Sequence, residues 1–497
     1  MFASCAVQAF FLFLLLVQPA YAAHARYVFL FIGDGMGVSQ ARAAEVYKAA
    51  LKGEAGVEKL NFSAFPAQGM TSTHSSESPV TDSAAAGTAI ACGVKTRNTG
   101  VGVDTGGKAV PSFAEMARDA GMKVGIVSSV SLDHATPAAF YAHQESRGSY
   151  HEIGLELAAS DFDYFAGGGF IDPEGKKSGK QGKQASVMEA IVQAGYALVS
   201  DRAAFEALKP GARAVVVAPR LQDGQALPYA IDVREGDITL ADLTAKGIEV
   251  LENPGGFFMM VESGKIDWAC HANDAMAAIG DVLALEVAVA KAVEFADRHP
   301  AETLIVVTAD HETGGMTLGV SGPGQFPHFG TLRHQKVSFE AFDKEFDAWR
   351  KANPGAPFEK AAWLVEERFG LEVSAGAGLA GMSKAAGGAA SVGSKDDMRL
   401  TDSELEDLKA AYDRSMAGDA GAKGRHGLRY GGNEPFSATL TRLLNRKAGL
   451  TWASGSHTGA PVQTSAVGVH AGSFNGSYDN TALFSKIVEA MGLKAVR

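Results

Sequence analysis

Cysteine is scarce, with three in 497 residues. Cys5 falls in an N-terminal apolar run, and Cys92 and Cys270 stand alone at a spacing that suggests no bridge, so the chain is not a disulfide scaffold. Long blocks of like charge are also missing. The net charge of −11 is spread along the sequence, which argues against a nucleic-acid or anionic-membrane partner. The one basic cluster, Lys176, Lys177, Lys180 and Lys183, is interleaved with Gly, Ser and Gln and reads as a solvated loop. Long apolar runs are confined to residues 6–17, about a dozen residues and short of the roughly 20 that span a bilayer. No internal repeat or adhesive low-complexity array supports a structural role.

What is present is a globular composition, 46% apolar and 20% charged, enough to bury one large core or two ordinary ones. The apolar run is followed by Gln18-Pro19-Ala20-Tyr21-Ala22, with small residues where a signal peptidase cuts. Residues 1–22 therefore read as a signal peptide, the mature chain starts at Ala23, and the expected location is periplasmic or secreted. No Lys or Arg precedes the run, which keeps an uncleaved membrane anchor as the alternative reading.

Short β-branched runs alternate with amphipathic helical runs, the pattern of an α/β fold with a mostly parallel central sheet and helices on both faces. Four apolar runs end in polar residues. Tyr27–Ile32 stops before Asp34, Val124–Ser128 leads to Asp133, His134 and Thr136, Phe257–Val261 ends at Glu262, and Leu304–Ala309 ends at Asp310-His311. The carboxyl edge of such a sheet is where ligands bind. So many carboxylates on one rim need cations between them.

Three further segments carry chemistry. Ser83, with Asp82 before it, opens an Ala-rich helix, where unpaired N–H groups and the helix dipole favour an anion such as phosphate. The competing reading is an N-cap serine. Asp267 and His271 are four apart and share a helical face. His457 lies in a Gly-Ser-rich loop with no core to satisfy. Mixed Asp and His donors without thiolates suit zinc in an open site; Cys270 reads as packing.

Taken together, Asp34-Gly35-Met36-Gly37, Thr81-Asp82-Ser83-Ala84-Ala85, Asp267 with His271, Asp310-His311 and His457-Thr458-Gly459 resemble the alkaline phosphatase family, in the family's order across nearly the whole mature chain. The resemblance implies a secreted phosphomonoesterase with two zinc ions, usually one magnesium, and often a homodimer. It implies that Asp267, His271 and His457 hold the first zinc, that Asp34, Asp310 and His311 hold the second, and that Asp34, Thr136 and Glu262 hold magnesium. Ser83 is then the nucleophile of a phosphoserine mechanism, and Arg147 grips two phosphoryl oxygens with its guanidinium fork. Asp82 orients that arginine or nearby backbone. His134 and Trp268 depart from the enterobacterial pattern, which has a carboxylate and a lysine there, and so leave the third metal's identity open.

Residues 331–450 form an insertion within a catalytic domain spanning 23–497, too long to be a simple connection. Phe339–Ala352 and Thr401–Met416 read as amphipathic helices, the second with a Thr401/Glu404 capping box. Ser374–Ser394, rich in Gly, Ala and Ser, reads as a flexible linker. The resemblance implies that the insertion lies near the active-site mouth or a dimer interface; the alternative is a solvent-exposed elaboration with no catalytic role. Small phosphate monoesters are the expected substrates. The alternatives are a phosphodiesterase or sulfatase of the same superfamily, and an inactive secreted zinc-binding protein.

Overall fold

In the computed structural model the described residues are 24–177, 185–319, 328–373, 398–418 and 432–494. The expected signal peptide, Lys180, Lys183 and the Ser374–Ser394 stretch lie outside them. Fourteen strands follow in chain order: β1 (Tyr27–Gly33), β2 (Ala67–Ser72), β3 (Lys123–Ser128), β4 (Tyr164–Gly167), β5 (Ala197–Val199), β6 (Ala214–Val217), β7 (Phe257–Ser263), β8 (Thr303–Thr308), β9 (Glu312–Thr313), β10 (Met316–Leu318), β11 (Leu450–Trp452), β12 (His457–Thr458), β13 (Val462–Gly468) and β14 (Gly476–Asp479). Ten of them form one sheet in the order β14-β2-β13-β8-β1-β7-β3-β4-β6-β5. From β8 to β5 every pair is parallel, and β13 runs antiparallel to both β8 and β2. The fold is thus α/β with a mostly parallel sheet, and the four strands legible as apolar runs are its adjacent central members.

Central strands are buried on both faces, so side chains alternate between two cores. Tyr27, Phe29 and Phe31 of β1 enter one core while Val28, Leu30 and Ile32 enter the other. Helices Val38–Leu51, Leu240–Leu251 and Ala275–Ala296 cover the first face; Ser83–Cys92, Phe113–Asp119, Tyr150–Ala159 and Thr481–Ala490 cover the second. Cys92 and Cys270 are both buried free thiols. Among the described residues no helix is long and apolar enough to cross a membrane.

The insertion contributes helices Phe339–Ala352, Ala362–Phe369, Asp402–Met416 and Pro435–Ala448. Phe346, Phe358, Tyr412 and Phe436 stack into its own aromatic cluster, and the Thr401/Glu404 capping box is formed. Its two ends meet: β10 pairs with β11, and Gly319 N–H donates to Gly449 O at 2.8 Å. Its first helix is fastened to the main domain by buried charge. Lys265 Nζ, with a fully buried side chain, donates to Glu340 Oε2 at 3.0 Å and lies 3.7 Å from the Tyr229 ring centre. Lys265→Met alone leaves Glu340 Oε2 without its buried partner, while Lys344 Nζ and the Asp223 N–H still hold Oε1 at 3.0 and 2.8 Å, and is expected to cost about 1–3 kcal/mol. The Lys265→Met, Glu340→Leu double variant should recover most of that loss, as read by urea unfolding of each protein.

Candidate metal centre and nucleophile

Strand register brings the acidic residues to one rim. Glu262 of β7 lies across from Ile32 of β1 and Ser128 of β3, and Ile32 is level with Thr308 of β8. Asp34 and Asp310 each follow two residues later, so Asp34, Glu262 and Asp310 emerge side by side and fully buried. Gly35 has φ +71°, and a Cβ there would sit 2.9 Å from Asp267 Oδ1; only glycine lets the turn after β1 approach that carboxylate so closely.

The Ser83–Cys92 helix is capped by Asp82, whose Oδ1 accepts from Ala85 N–H at 3.0 Å and Thr99 N–H at 3.1 Å. Ser83 is therefore the first helical residue and not the cap. Its hydroxyl is almost entirely buried and lies 3.3 Å from His311 Nε2. The other Asp82 oxygen accepts from Arg147 Nη1 at 3.1 Å, and Arg147 Nη2 is 3.2 Å from His134 Nε2. Nucleophile, capping carboxylate and guanidinium form one connected unit.

Two imidazoles beside it have fixed tautomers. His271 Nδ1 bonds to Gly455 O at 2.7 Å and His457 Nδ1 to Thr81 O at 2.9 Å, which places a proton on each Nδ1 and makes each Nε2 the atom that takes a further proton or a metal ion. Those two Nε2 atoms face each other at 3.1 Å, with Asp267 Oδ2 3.3 Å from His271 Nε2 and Asp267 Oδ1 3.6 Å from His457 Nε2. Two Nε2 atoms this close need a proton or a metal cation between them. Asp34, Asp310 and His311 make a second set with one donor atom each within 4.8 Å, and Asp267, His311 and His457 are equally close. His311 Nε2 is 3.3 Å from Asp310 Oδ2 and 3.5 Å from Asp34 Oδ1.

A third set joins Asp34, Glu262 and His134. Thr136, two residues after His134, has its hydroxyl buried without a hydrogen-bond partner among the described residues. Trp268 sets its ring edge against His134, 5.8 Å between centres, and its ring abuts Gly224 on the other side, so it both walls this set and packs.

The electrostatics show what the donors want. Burial, reinforced by neighbouring carboxylates, pushes Asp34 well above the usual range, Glu262 to about 8 and Asp310 to about 6. Burial opposes charge on Asp267 too, but His271, His311 and His457 outweigh it and hold that carboxyl far below its ordinary value. Burial also depresses His311 to about 4 and His134 to about 3, whereas Asp267 overrides it at His271 and raises that ring to about 9. Both oxygens of Asp34, Asp310 Oδ2 and Glu262 Oε1 are buried with no hydrogen-bond donor among the described residues. Orphaned buried acceptors of this kind fit cations that replace the missing donors.

Sequence comparison decides the family. The family model for alkaline phosphatase matches residues 25–493. The chain belongs to the alkaline phosphatase family. Alkaline phosphatase 4 of Bacillus subtilis (strain 168) is 31% identical over 472 residues, covering 92% of this chain and 87% of that protein. Crystal structures of alkaline phosphatases from Thermus thermophilus and a psychrophilic Shewanella superpose with TM-scores of 0.76 and 0.73, each at 26% identity. They cover 96% and 94% of this chain, and 93% and 99% of theirs. This alkaline phosphatase is thus a metal-dependent phosphatase by family and by its donor sets.

Two features of the phosphatase site differ from the sequence reading or escaped it. His457 is not in an open loop: with Thr458 it forms β12, paired antiparallel with Glu312–Thr313 of β9 and latched by Thr458 Oγ1 donating to Glu312 Oε2 at 2.5 Å. Thr313, unnoticed in the sequence, donates its hydroxyl to Asp267 Oδ1 at 2.6 Å and stands 3.2 Å from His311 Nδ1, bridging two donor sets. The only cue to it was its place two residues after Asp310-His311.

Proposed function

We propose that this alkaline phosphatase hydrolyses phosphate monoesters to an alcohol and inorganic phosphate at alkaline pH through a phosphoserine on Ser83. In this reading Asp267, His271 and His457 hold one zinc, Asp34, Asp310 and His311 a second, and Asp34, Thr136 and Glu262 a magnesium, with His134 beside it. The bound ions supply positive charge that neutralises phosphoryl oxygens and acidifies hydroxyl groups. Arg147, braced by Asp82, presents its fork to two phosphoryl oxygens, and the start of the Ser83–Cys92 helix adds its dipole. Ser83 Oγ attacks phosphorus, the ester P–O bond breaks and the alcohol leaves with a proton. Water then attacks the phosphoserine in line, returning the proton to Ser83 as phosphate departs. Residues 23–497 are proposed to act as a secreted or periplasmic enzyme after loss of residues 1–22, with a homodimer as the expected assembly.

The observation that carries this reading is the buried Ser83 hydroxyl set between the paired imidazole and carboxylate sets and the Asp82-braced Arg147. The test is hydrolysis of p-nitrophenyl phosphate against its bis-ester at alkaline pH, before and after chelation, with zinc and magnesium restored separately. Monoester turnover lost on chelation and regained with zinc supports it; preference for the bis-ester moves the assignment to a phosphodiesterase. Arg147→Lys keeps the charge and loses the fork. It should lower kcat/KM by about 10²-fold and weaken inhibition by inorganic phosphate in parallel, measured as Ki.

A further inference from the structure

Beside His271 the insertion and the strand that follows it enclose a cavity of about 320 Å³. Asn433, Arg442, Asn445 and Arg446 of the insertion line it together with His271 and Trp452. No carboxylate lines it among the described residues, in a chain whose acids outnumber its bases 56 to 45. Arg442 and Arg446 are four apart on the Pro435–Ala448 helix and share a face. Arg446 has no ion-pair partner among the described residues. The indole N–H of Trp452 is buried without an acceptor among the described residues. Two amides fasten this wall to the chain that carries His271: Asn433 Nδ2 donates to His271 O at 3.4 Å and Asn445 Nδ2 to Asn273 O at 2.7 Å. The cavity is therefore a concave, donor-rich surface in direct contact with one donor set of the metal centre.

Its side of the centre is the informative part. Ser83 stands against His311, and attacking and leaving oxygens lie in line across the phosphorus. The departing alcohol therefore leaves on the side of His271 and His457, and His271 is the residue that the cavity shares with that side. We infer that this cavity is a subsite for the alcohol portion of the substrate and selects phosphate monoesters whose alcohol carries a second oxyanion. Guanidinium forks hold carboxylate or phosphate oxygens bidentately, and the asparagine amides add neutral donors beside them. The inference rests on the phosphomonoesterase reading above.

The experiment compares kcat/KM of the full enzyme for two matched pairs, 3-phosphoglycerate against glycerol 3-phosphate and fructose 1,6-bisphosphate against fructose 6-phosphate, with p-nitrophenyl phosphate as the reference. The expected result is a preference of about tenfold for the doubly anionic member, expressed in KM, that shrinks as salt rises. In Arg446→Gln and Arg442→Gln that ratio falls toward one, and Arg446→Lys retains part of it. The first pair reads a carboxylate and the second a phosphate, so the two sources are separated. A ratio near one in the parent enzyme, or a ratio preserved in both glutamine variants, overturns the subsite while p-nitrophenyl phosphate turnover leaves the main reading standing. Absence of p-nitrophenyl phosphate turnover in the parent overturns both.

Discussion

Ser83→Ala is expected to lower kcat/KM for p-nitrophenyl phosphate by about four to six orders of magnitude, with bound metal and melting temperature close to those of the parent. The size follows from the role proposed for the hydroxyl, the atom that bonds to phosphorus, and among the described residues no other hydroxyl lies within hydrogen-bond reach of His311 Nε2. The stability expectation follows from position. Asp82, not Ser83, accepts the Ala85 N–H, so alanine at 83 removes no cap. Had Ser83 been the cap, its loss would cost about 1 kcal/mol and leave chemistry intact; the two roles therefore predict opposite patterns. Acid-quench mass spectrometry after brief exposure to substrate should show a phosphorylated parent and an unmodified variant. Retention of more than about a hundredth of the parent activity would sink the assignment of the nucleophile.

Removing the metals should abolish turnover and turn the enzyme's pH–stability profile around. In the metal-free protein Asp34, Glu262 and Asp310 have folded pKa values above their unfolded ones. Their contribution is fully present below about pH 4 and is lost as pH rises through about 6 for Asp310 and about 8 for Glu262. His271, raised to about 9, acts in the same direction above its unfolded value near 6.5. His311 and His134 act oppositely, since their depressed values make them stabilising above about 6.5 and less so as pH falls toward about 4 and 3. Between about pH 6.5 and 8 the histidine contributions are already in place, and only the loss remains. Chelated protein should therefore melt at progressively lower temperature across that window. Zinc and magnesium should restore the melt, by about 4 kcal/mol for each ion supplied at a thousand times its dissociation constant, and most effectively at the higher pH, because binding displaces protons from these carboxyls. Calorimetric scans at pH 6.5, 7.3 and 8.0 with and without chelator decide it; a chelated melt that rises with pH would contradict the clustered-carboxylate picture.

The sheet was legible because its four central strands are runs of apolar residues that end in polar ones, with a carboxylate at or just past the end of three of them, and burial on both faces makes such runs continuous. Asp34, Glu262 and Asp310 were visible for the same reason. Asp267 and His271 were visible through helical spacing. What escaped were contacts that no local period encodes: Thr313 on Asp267, Lys265 on Glu340, and the Glu312 latch on Thr458 join residues dozens to over a hundred positions apart. The Pro435–Ala448 helix escaped for a different reason. Its boundary signals, Pro435 at the first turn and Gly449 in left-handed conformation after the last, were both in the sequence, but a polar-looking helix inside a long insertion offers little contrast with its surroundings. The cavity beside His271 depends on that helix and was invisible with it.

The hydrogen bond between Gly319 and Gly449, with β10 zipped to β11 beside it, makes the insertion a side branch that leaves and rejoins the trunk at a single point. Because the ends are closed by the trunk's own pairing, the cost of lengthening the branch grows only with the logarithm of its size, about 0.6 kcal/mol for each doubling. Relatives can therefore gain or shed whole helices here without moving His457, which is held a few residues downstream by a separate pairing. The insertion's share of the proposed alcohol subsite and the strand pair that holds His457 are in this way placed on opposite sides of one closure point in the chain, free to change at different rates.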